Sequence, residues 1–329
     1  MDQNKTVFSG LQPTGNVHLG NYLGALRNWV KLQDDYRAIY CVVDLHAMTI
    51  DYDPAEYVRE RHEAARVLLA CGIDPMRSLF YFQSAVPQHV ELSWILATLT
   101  PMGVLNRMTQ FKDKTERGGA ANLGLFAYPV LMAADIMVHH AQLVPVGDDQ
   151  RQHLEVTRDL AERFNNRYGD LFPVPEALIP ETSARVMALT DPTTKMSKSD
   201  PNLRSRVLLL DPPDVVRRKI RSAVTDSEPT VRHDWGDKPG VSNLLEIMSG
   251  ATGRPIADLV GEYGDGGYGR FKDAVAEAVD EMLHPIRVAY AELDEVDVAA
   301  VMRDGAETAR ASAEGFQLQV RAAVGLANR

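Results

Sequence analysis

Cysteine is almost missing from this 329-residue sequence: only Cys41 and Cys71 occur, each inside an apolar stretch. A disulfide framework and a cysteine-based zinc site are thereby set aside, and a reduced, cytoplasmic compartment is expected. No apolar run reaches the roughly 18 residues that a membrane-spanning helix needs. The opening MDQNKTVFSG lacks the basic start and apolar stretch of a signal peptide and passes directly into strand-like sequence. The first glycine-rich turn, SGLQPTGNVHLGN, is neither G-x-G-x-x-G nor a Walker loop, so dinucleotide and P-loop readings do not fit it. Repeats and low-complexity segments are absent too. Positive charge is in deficit, and a net charge of −10 counts against a general nucleic-acid binder. Phosphate binding depends on local charge, however. Basic side chains do gather at Arg107, Lys112, Lys114 and Arg117, and again at Arg217, Arg218, Lys219 and Arg221. Solvated surface is the plainer reading of both groups.

What is present is the composition of an ordinary globular protein, 45% hydrophobic and 24% charged. The length suits one large domain with a second appended. The first half alternates strand-like and helix-like segments. Strands are expected at Thr6 to Ser9, Arg37 to Asp44, Ser78 to Gln83 and Leu143 to Val146. Helices are expected at about His18 to Gln33, Pro54 to Ala70, His89 to Lys112, from Pro129, and at Asp148 to Phe164. Such alternation predicts an α/β fold, a Rossmann-like, doubly wound parallel sheet, with ligands beyond the carboxyl ends of its strands. From about residue 190 the character changes. The polar TDPTTKMSKSDPN reads as an exposed loop, Arg206 to Leu210 as a short strand, and Asp211-Pro212-Pro213 as a helix start, followed by helices and turns. The expected division is a catalytic domain over 1–190 and a loop plus all-helical domain over 191–295.

The chemistry-bearing stretches follow strand ends or open helices. In SGLQPTGNVHLGN, Gly10, Gly15 and Gly20 allow close backbone approach to a phosphate, and a helix amino terminus supplies free N–H groups beside His18 and Asn21. Spacing alone fits a plain strand–turn–helix connection equally well. In KMSKS, Lys195 and Lys198 with intervening hydroxyls form a cationic loop that could close over a leaving pyrophosphate, or remain a solvated loop. Asp148 and Asp149 in GDDQ are either ribose acceptors or ordinary helix-start residues. In YPVLMAADIMV, Asp135 is the one carboxylate in an apolar helix, with Met132 and Tyr128 on the same face. An ionised carboxylate there is costly unless paired. An indole N–H, which donates and cannot accept, is a suitable partner, and a protein donor or water is the alternative.

HLGN near the start, followed far downstream by KMSKS, resembles the paired signature of class I aminoacyl-tRNA synthetases. The runs VFSGLQPTG, VVDLHA, YPVLMAADI, LVPVGDDQRQHLEVTRDLAERFN, KMSKSDPN and SAVTDSE are similar in order and spacing to the bacterial tryptophan branch of that class. Asn21 stands where the class usually has the final histidine of its HIGH motif, a position at which this branch varies.

That resemblance implies ATP-dependent activation of L-tryptophan and its transfer to tRNA(Trp) by a homodimer. It implies ATP carrying Mg2+, with no dedicated protein metal site. Packing of the segment 296–329 back on the first domain is not read from the sequence pattern and is implied only by this resemblance. It places His18, Asn21, Lys195 and Lys198 in catalysis. Gln12, Thr14, Gly20, Lys114, Gly147, Asp149, Gln150, Met196 and Ser197 join Asn21 and Lys195 at ATP. Phe8, His46, Tyr128, Met132, Asp135, Val144, Val146 and Gln150 surround tryptophan. On periodicity alone, Phe8 and the two valines are core residues more often than ligand contacts. His139, His140 and His153 have no motif partner and read as structural or surface. Tyrosine activation, a small-molecule nucleotidyltransferase and a non-catalytic RNA-binding relative are the competing readings.

Overall fold

A computed structural model describes residues 5–13, 17–108, 122–147, 150–179, 185–198 and 200–327. The β-branched and aromatic runs form β1 (Thr6–Leu11), β2 (Arg37–Val42), β3 (Ser78–Phe82), β4 (Leu143–Pro145) and β5 (Glu176–Leu178). They pair in parallel as one five-stranded sheet of order β3-β2-β1-β4-β5. The chain winds outward from β1 in one direction and then in the other, so a crevice opens between the carboxyl ends of β1 and β4. The helices are α1 (Leu19–Asn21), α2 (Arg27–Asp35), α3 (Asp44–Ala47), α4 (Pro54–Ala70), α5 (Gln88–Ala97), α6 (Met102–Leu105), α7 (Leu123–Met137) and α8 (Arg151–Tyr168). They continue with α9 (Pro213–Arg221), α10 (Pro239–Thr252), α11 (Ile256–Tyr263), α12 (Gly267–Glu292) and α13 (Glu295–Ala323).

Strand alternation divides the apolar core. Val7, Tyr40 and Phe80 face one side, where they join α4, α9, α10 and α12 through Ala65, Val216, Leu244 and Val279. Phe8, Ile39, Cys41 and Tyr81 face the other side, with α5, α7, α8 and the end of α13. In α13, a Cβ on Gly305 would sit 1.8 Å from the Phe80 carbonyl oxygen, so the helix lies directly on the β3 backbone. Gly305→Val must therefore displace backbone rather than a flexible side chain. It is expected to cost about 3 kcal/mol or more, the upper part of the overpacking range. Urea denaturation with an unchanged midpoint would contradict this packing.

Several boundaries depart from the sequence pattern. Pro129 does not open α7: the helix begins at Leu123, where the Asn122 side chain accepts the Leu125 N–H at 2.7 Å, and Pro129 lies inside it. As the seventh residue of the helix it has no N–H to give, so the Leu125 carbonyl goes without its usual intrahelical donor. The run from His89 breaks between α5 and α6 at Pro101, which disfavours helix at the residue before it. Residues Tyr22–Leu26 form a wider π turn joining α1 to α2. The segment after Arg206 is not a sheet strand but straps the first helix, with Leu19 N–H donating to Val207 O at 2.8 Å and Leu209 N–H to Val17 O at 3.1 Å. β5 carried no signal at all: Glu176-Ala177-Leu178 is short, and two of its residues are exposed.

Candidate active site

The cleft at the β1–β4 switch is built from the strand ends outward. β1 supplies Phe8, Ser9 and Gly10 and leads past Leu11 to Gln12, and β4 supplies Val144 and Pro145 before Val146. Tyr128, Met132 and Asp135 enter from one face of α7, and His46 from α3. All eight side chains assigned to an aromatic substrate (Phe8, His46, Tyr128, Met132, Asp135, Val144, Val146 and Gln150) line this cleft together with Gln12. The cleft is open to solvent and combines apolar walls with a few convergent polar groups, the character of a small-ligand site. The Phe8 ring stacks at 6.2 Å on His139, and the Tyr128 hydroxyl meets His153 Nε2 at 2.5 Å. Both histidines, which had no motif partner, thus support walls of the cleft.

Asp135 is 1% exposed. Its Oδ2 lies 2.7 Å from His46 Nε2, and its Oδ1 lies 2.7 Å from both Gln83 Nε2 and His89 Nδ1. Burial alone would raise this carboxyl, but the charge and hydrogen bonds of His46 and the hydrogen bond of His89 outweigh it and hold the group below the ordinary carboxylate range. An ionised carboxylate offers about four lone-pair sites. Two on Oδ1 are taken and one on Oδ2. One acceptor position therefore stays open on a carboxylate that borders the cleft. The protein donors that the sequence offered as the alternative partner of Asp135 are thus present, and the residue also lines the cleft. Gln83 and His89 were missed because nothing in their spacing relates them to α7.

The phosphate end is assembled by distant segments. His18 precedes α1, and the Asn21 side chain accepts the His18 N–H at 3.2 Å. The KMSKS segment is held by antiparallel pairing of Lys195 with Met187, with Met196 N–H donating to Val186 O at 3.1 Å. Met196 anchors it: its side chain is 3% exposed and sits in the core with Val17, Leu19 and Val207. A Cβ on Gly20 would lie 3.1 Å from His18 Nδ1 and 3.6 Å from Met196 Cβ, so glycine lets ring and loop close together. Burial, then Lys198, Arg206 and Lys195, lower the His18 imidazole to about 3. It is thus neutral near pH 7 and offers an N–H rather than a charge, while the cations come from the loop. Burial also lowers the Lys198 ammonium to about 8, against the opposing pull of Glu60. Arg206, which no motif marked, joins this cationic group, with Nη1 donating to Asp200 O at 2.6 Å.

Gly147 is exposed just beyond β4 and accepts the Gln150 N–H at 3.0 Å, while Ser197 is partly buried in the loop. Thr14, Lys114 and Asp149 lie outside the described residues. The basic helix α9 is neutralised locally. Lys219 pairs with Asp211 at 2.6 Å, Arg217 and Arg221 both reach Asp273, and Arg218 reaches Asp214. Among the described residues no group of three or more His, Cys, Asp or Glu could hold a metal ion, and no helix is long and apolar enough to cross a membrane.

Comparison with known proteins agrees with this geometry. The family model described as tRNA synthetases class I (W and Y) matches residues 2–284. The tryptophan–tRNA ligase of Caldanaerobacter subterraneus subsp. tengcongensis is 49% identical over 322 residues, covering 98% of each chain. The crystal structure of the tryptophanyl-tRNA synthetase from Mycoplasma pneumoniae superposes with a TM-score of 0.90 at 34% identity, over 98% of both chains. That of Campylobacter jejuni, complexed with ADP and tryptophan, gives 0.84 at 35% identity, over 98% of this chain and 100% of that one. With a Rossmann-like sheet, the paired phosphate-binding segments and near full-length likeness together, this chain belongs to the class I aminoacyl-tRNA synthetases of the tryptophan and tyrosine family.

Proposed function

We propose that the chain activates L-tryptophan with Mg-ATP and transfers it to tRNA(Trp). The observation that carries this reading is the ionised, acceptor-only Asp135 with one open position, the one carboxylate in a cleft lined mainly by apolar and aromatic side chains. A ring N–H satisfies that position, and Phe8, Met132, Val144 and Val146 bury the ring. The names of the relatives point the same way.

In the first step a carboxylate oxygen of the amino acid attacks the α-phosphorus, and the bond to the α–β bridging oxygen breaks, releasing pyrophosphate with its charge. α-Carboxyls titrate near pH 3.5, so the nucleophile is already ionised and no general base is required. Positioning and charge stabilisation supply the catalysis. Lys195 and Lys198 take the leaving pyrophosphate, and neutral His18 and Asn21 donate hydrogen bonds to the phosphates. Arg206 adds charge behind them. Gln12, Thr14, Gly20, Lys114, Met196 and Ser197 complete the nucleotide contacts, with Met196 using its backbone. Gly147, Asp149 and Gln150 meet the ribose and the amino-acid end. In the second step a terminal ribose hydroxyl of the tRNA attacks the anhydride carbonyl, and AMP leaves. The magnesium ion travels with ATP.

Homodimerisation is part of the proposal: Val90 and Trp94, one turn apart on α5 and 52% and 76% exposed, offer an apolar surface for a second copy. The two buried free thiols suit a reducing cytoplasm.

ATP–pyrophosphate exchange measured with each standard amino acid tests the function. Exchange with tryptophan is expected. Exchange with tyrosine alone, or none with any amino acid, overturns the assignment. The same assay carries a pH prediction. Lys198 loses its charge as pH rises through about 8, so kcat/KM for ATP should decline above that value. Lys198→Arg, which keeps its charge, should abolish the decline. A wild-type profile flat to pH 10 would contradict the role of Lys198.

A further inference from the structure

Of the three donors on Asp135, only His46 lines the cleft, while Gln83 and His89 approach from behind. His89, on α5, is 0% exposed. Its far nitrogen, Nε2, lies 2.9 Å from the hydroxyl of Tyr81, and that hydroxyl lies 2.6 Å from His139 Nε2. Tyr81 comes from β3, an edge strand of the sheet, and His139 from the turn after α7, so three elements converge on one buried line ending at the carboxylate.

The chemistry of the groups fixes the direction of its protons. His89 Nδ1 faces an ionised oxygen at 2.7 Å, so Nδ1 carries the hydrogen. A neutral imidazole then has a lone pair at Nε2, which accepts from the Tyr81 hydroxyl. That hydroxyl, its one proton engaged, accepts from His139 Nε2–H. Burial keeps His139 well below the ordinary histidine range, and its Nδ1 has no partner among the described residues, which suits the neutral tautomer with hydrogen on Nε2. With a neutral His89, reversing the order would set its lone pair against Asp135, an arrangement only a protonated, donating carboxyl tolerates. A donating carboxyl could no longer be an acceptor-only reader of a ring N–H.

We infer that Tyr81 and His89 are positioning residues for amino-acid selectivity. Their hydrogen-bond relay from His139 keeps Asp135 ionised, with Oδ2 toward the cleft. The inference rests on the reading of Asp135 given above. Neither residue touches substrate, and both act through the carboxylate.

The test is kcat/KM in pyrophosphate exchange for tryptophan against 3-benzothienylalanine, in which sulfur replaces the ring N–H. Tyr81→Phe removes only the linking hydroxyl, and His89→Gln moves the amide away from the Nδ1 place. Both are expected to lower the preference for tryptophan about tenfold, with KM for ATP unchanged. His89→Asn, which sets an amide N–H near Nδ1, is expected to keep most of the preference. An undiminished preference in Tyr81→Phe, alone or with His89→Gln, overturns the inference. So does a uniform loss in which KM for ATP and the melting temperature change as much as selectivity. Should His89→Gln fail to fold, the nearly isosteric Tyr81→Phe decides. Asp135→Asn separates the two levels: if it leaves the preference intact, the reading of Asp135 itself fails. If it abolishes the preference while the relay variants do not, only the relay fails.

Discussion

Lys195→Ala is expected to lower kcat for adenylate formation by about a hundredfold or more, with the tryptophan dissociation constant close to that of the unaltered protein. Charge appears on the leaving pyrophosphate only as the α–β bond breaks, so a cation placed there stabilises the transition state more than the ground state. Removing one preorganised donor from such a position typically costs about two to three orders of magnitude. The geometry supports the placement: Lys195 and Lys198 lie close enough to act on the His18 imidazole, and Met196 between them is fixed in the core. The amino-acid cleft is bordered by none of these side chains, which is why its affinity should be spared. Pre-steady-state measurement of adenylate formation separates the effects. A variant that lost tryptophan affinity but kept its turnover rate would contradict the role.

Asp135→Asn should lower kcat/KM for tryptophan by about ten- to a hundredfold or more. The size follows from the roughly 1.5–3 kcal/mol carried by a hydrogen bond to a charged group. The surroundings push toward the larger figure. Three protein donors converge on the carboxylate, and an asparagine amide would turn an N–H2 group toward some of them. KM for ATP should change little, because His18 and the lysine loop stand apart from the three donors. Full retention of activity would show that Asp135 does not read the ring.

Much of this site was legible in the sequence, and the reason is local. Tyr128, Met132 and Asp135 share one helical face, which spacing shows before any packing is known, whereas Phe8, Val144 and Val146 read as core by periodicity and were assigned to the ligand through the family resemblance. The Pro54–Ala70 helix was equally plain, with proline at its start and Gly72 in a left-handed backbone beyond its end. What escaped depends on long-range assembly. Tyr81, Gln83 and His89 converge on Asp135 only because β3 and α5 pack behind α7. Arg206 reaches the phosphate end only because its strap pairs with the first helix. β5 was invisible because three residues paired to β4 carry no alternation to detect. The misplaced start of α7 has a different cause: an asparagine cap at Asn122 overrode the proline that was taken as the opening signal.

A crystal structure with tryptophan and a non-hydrolysable ATP analogue bound tests the central claim most directly. The indole nitrogen should lie within hydrogen-bond distance of Asp135 Oδ2, with the triphosphate between the His18 turn and Lys195–Lys198. An indole turned away from Asp135, or phosphates lodged outside those two segments, would contradict it.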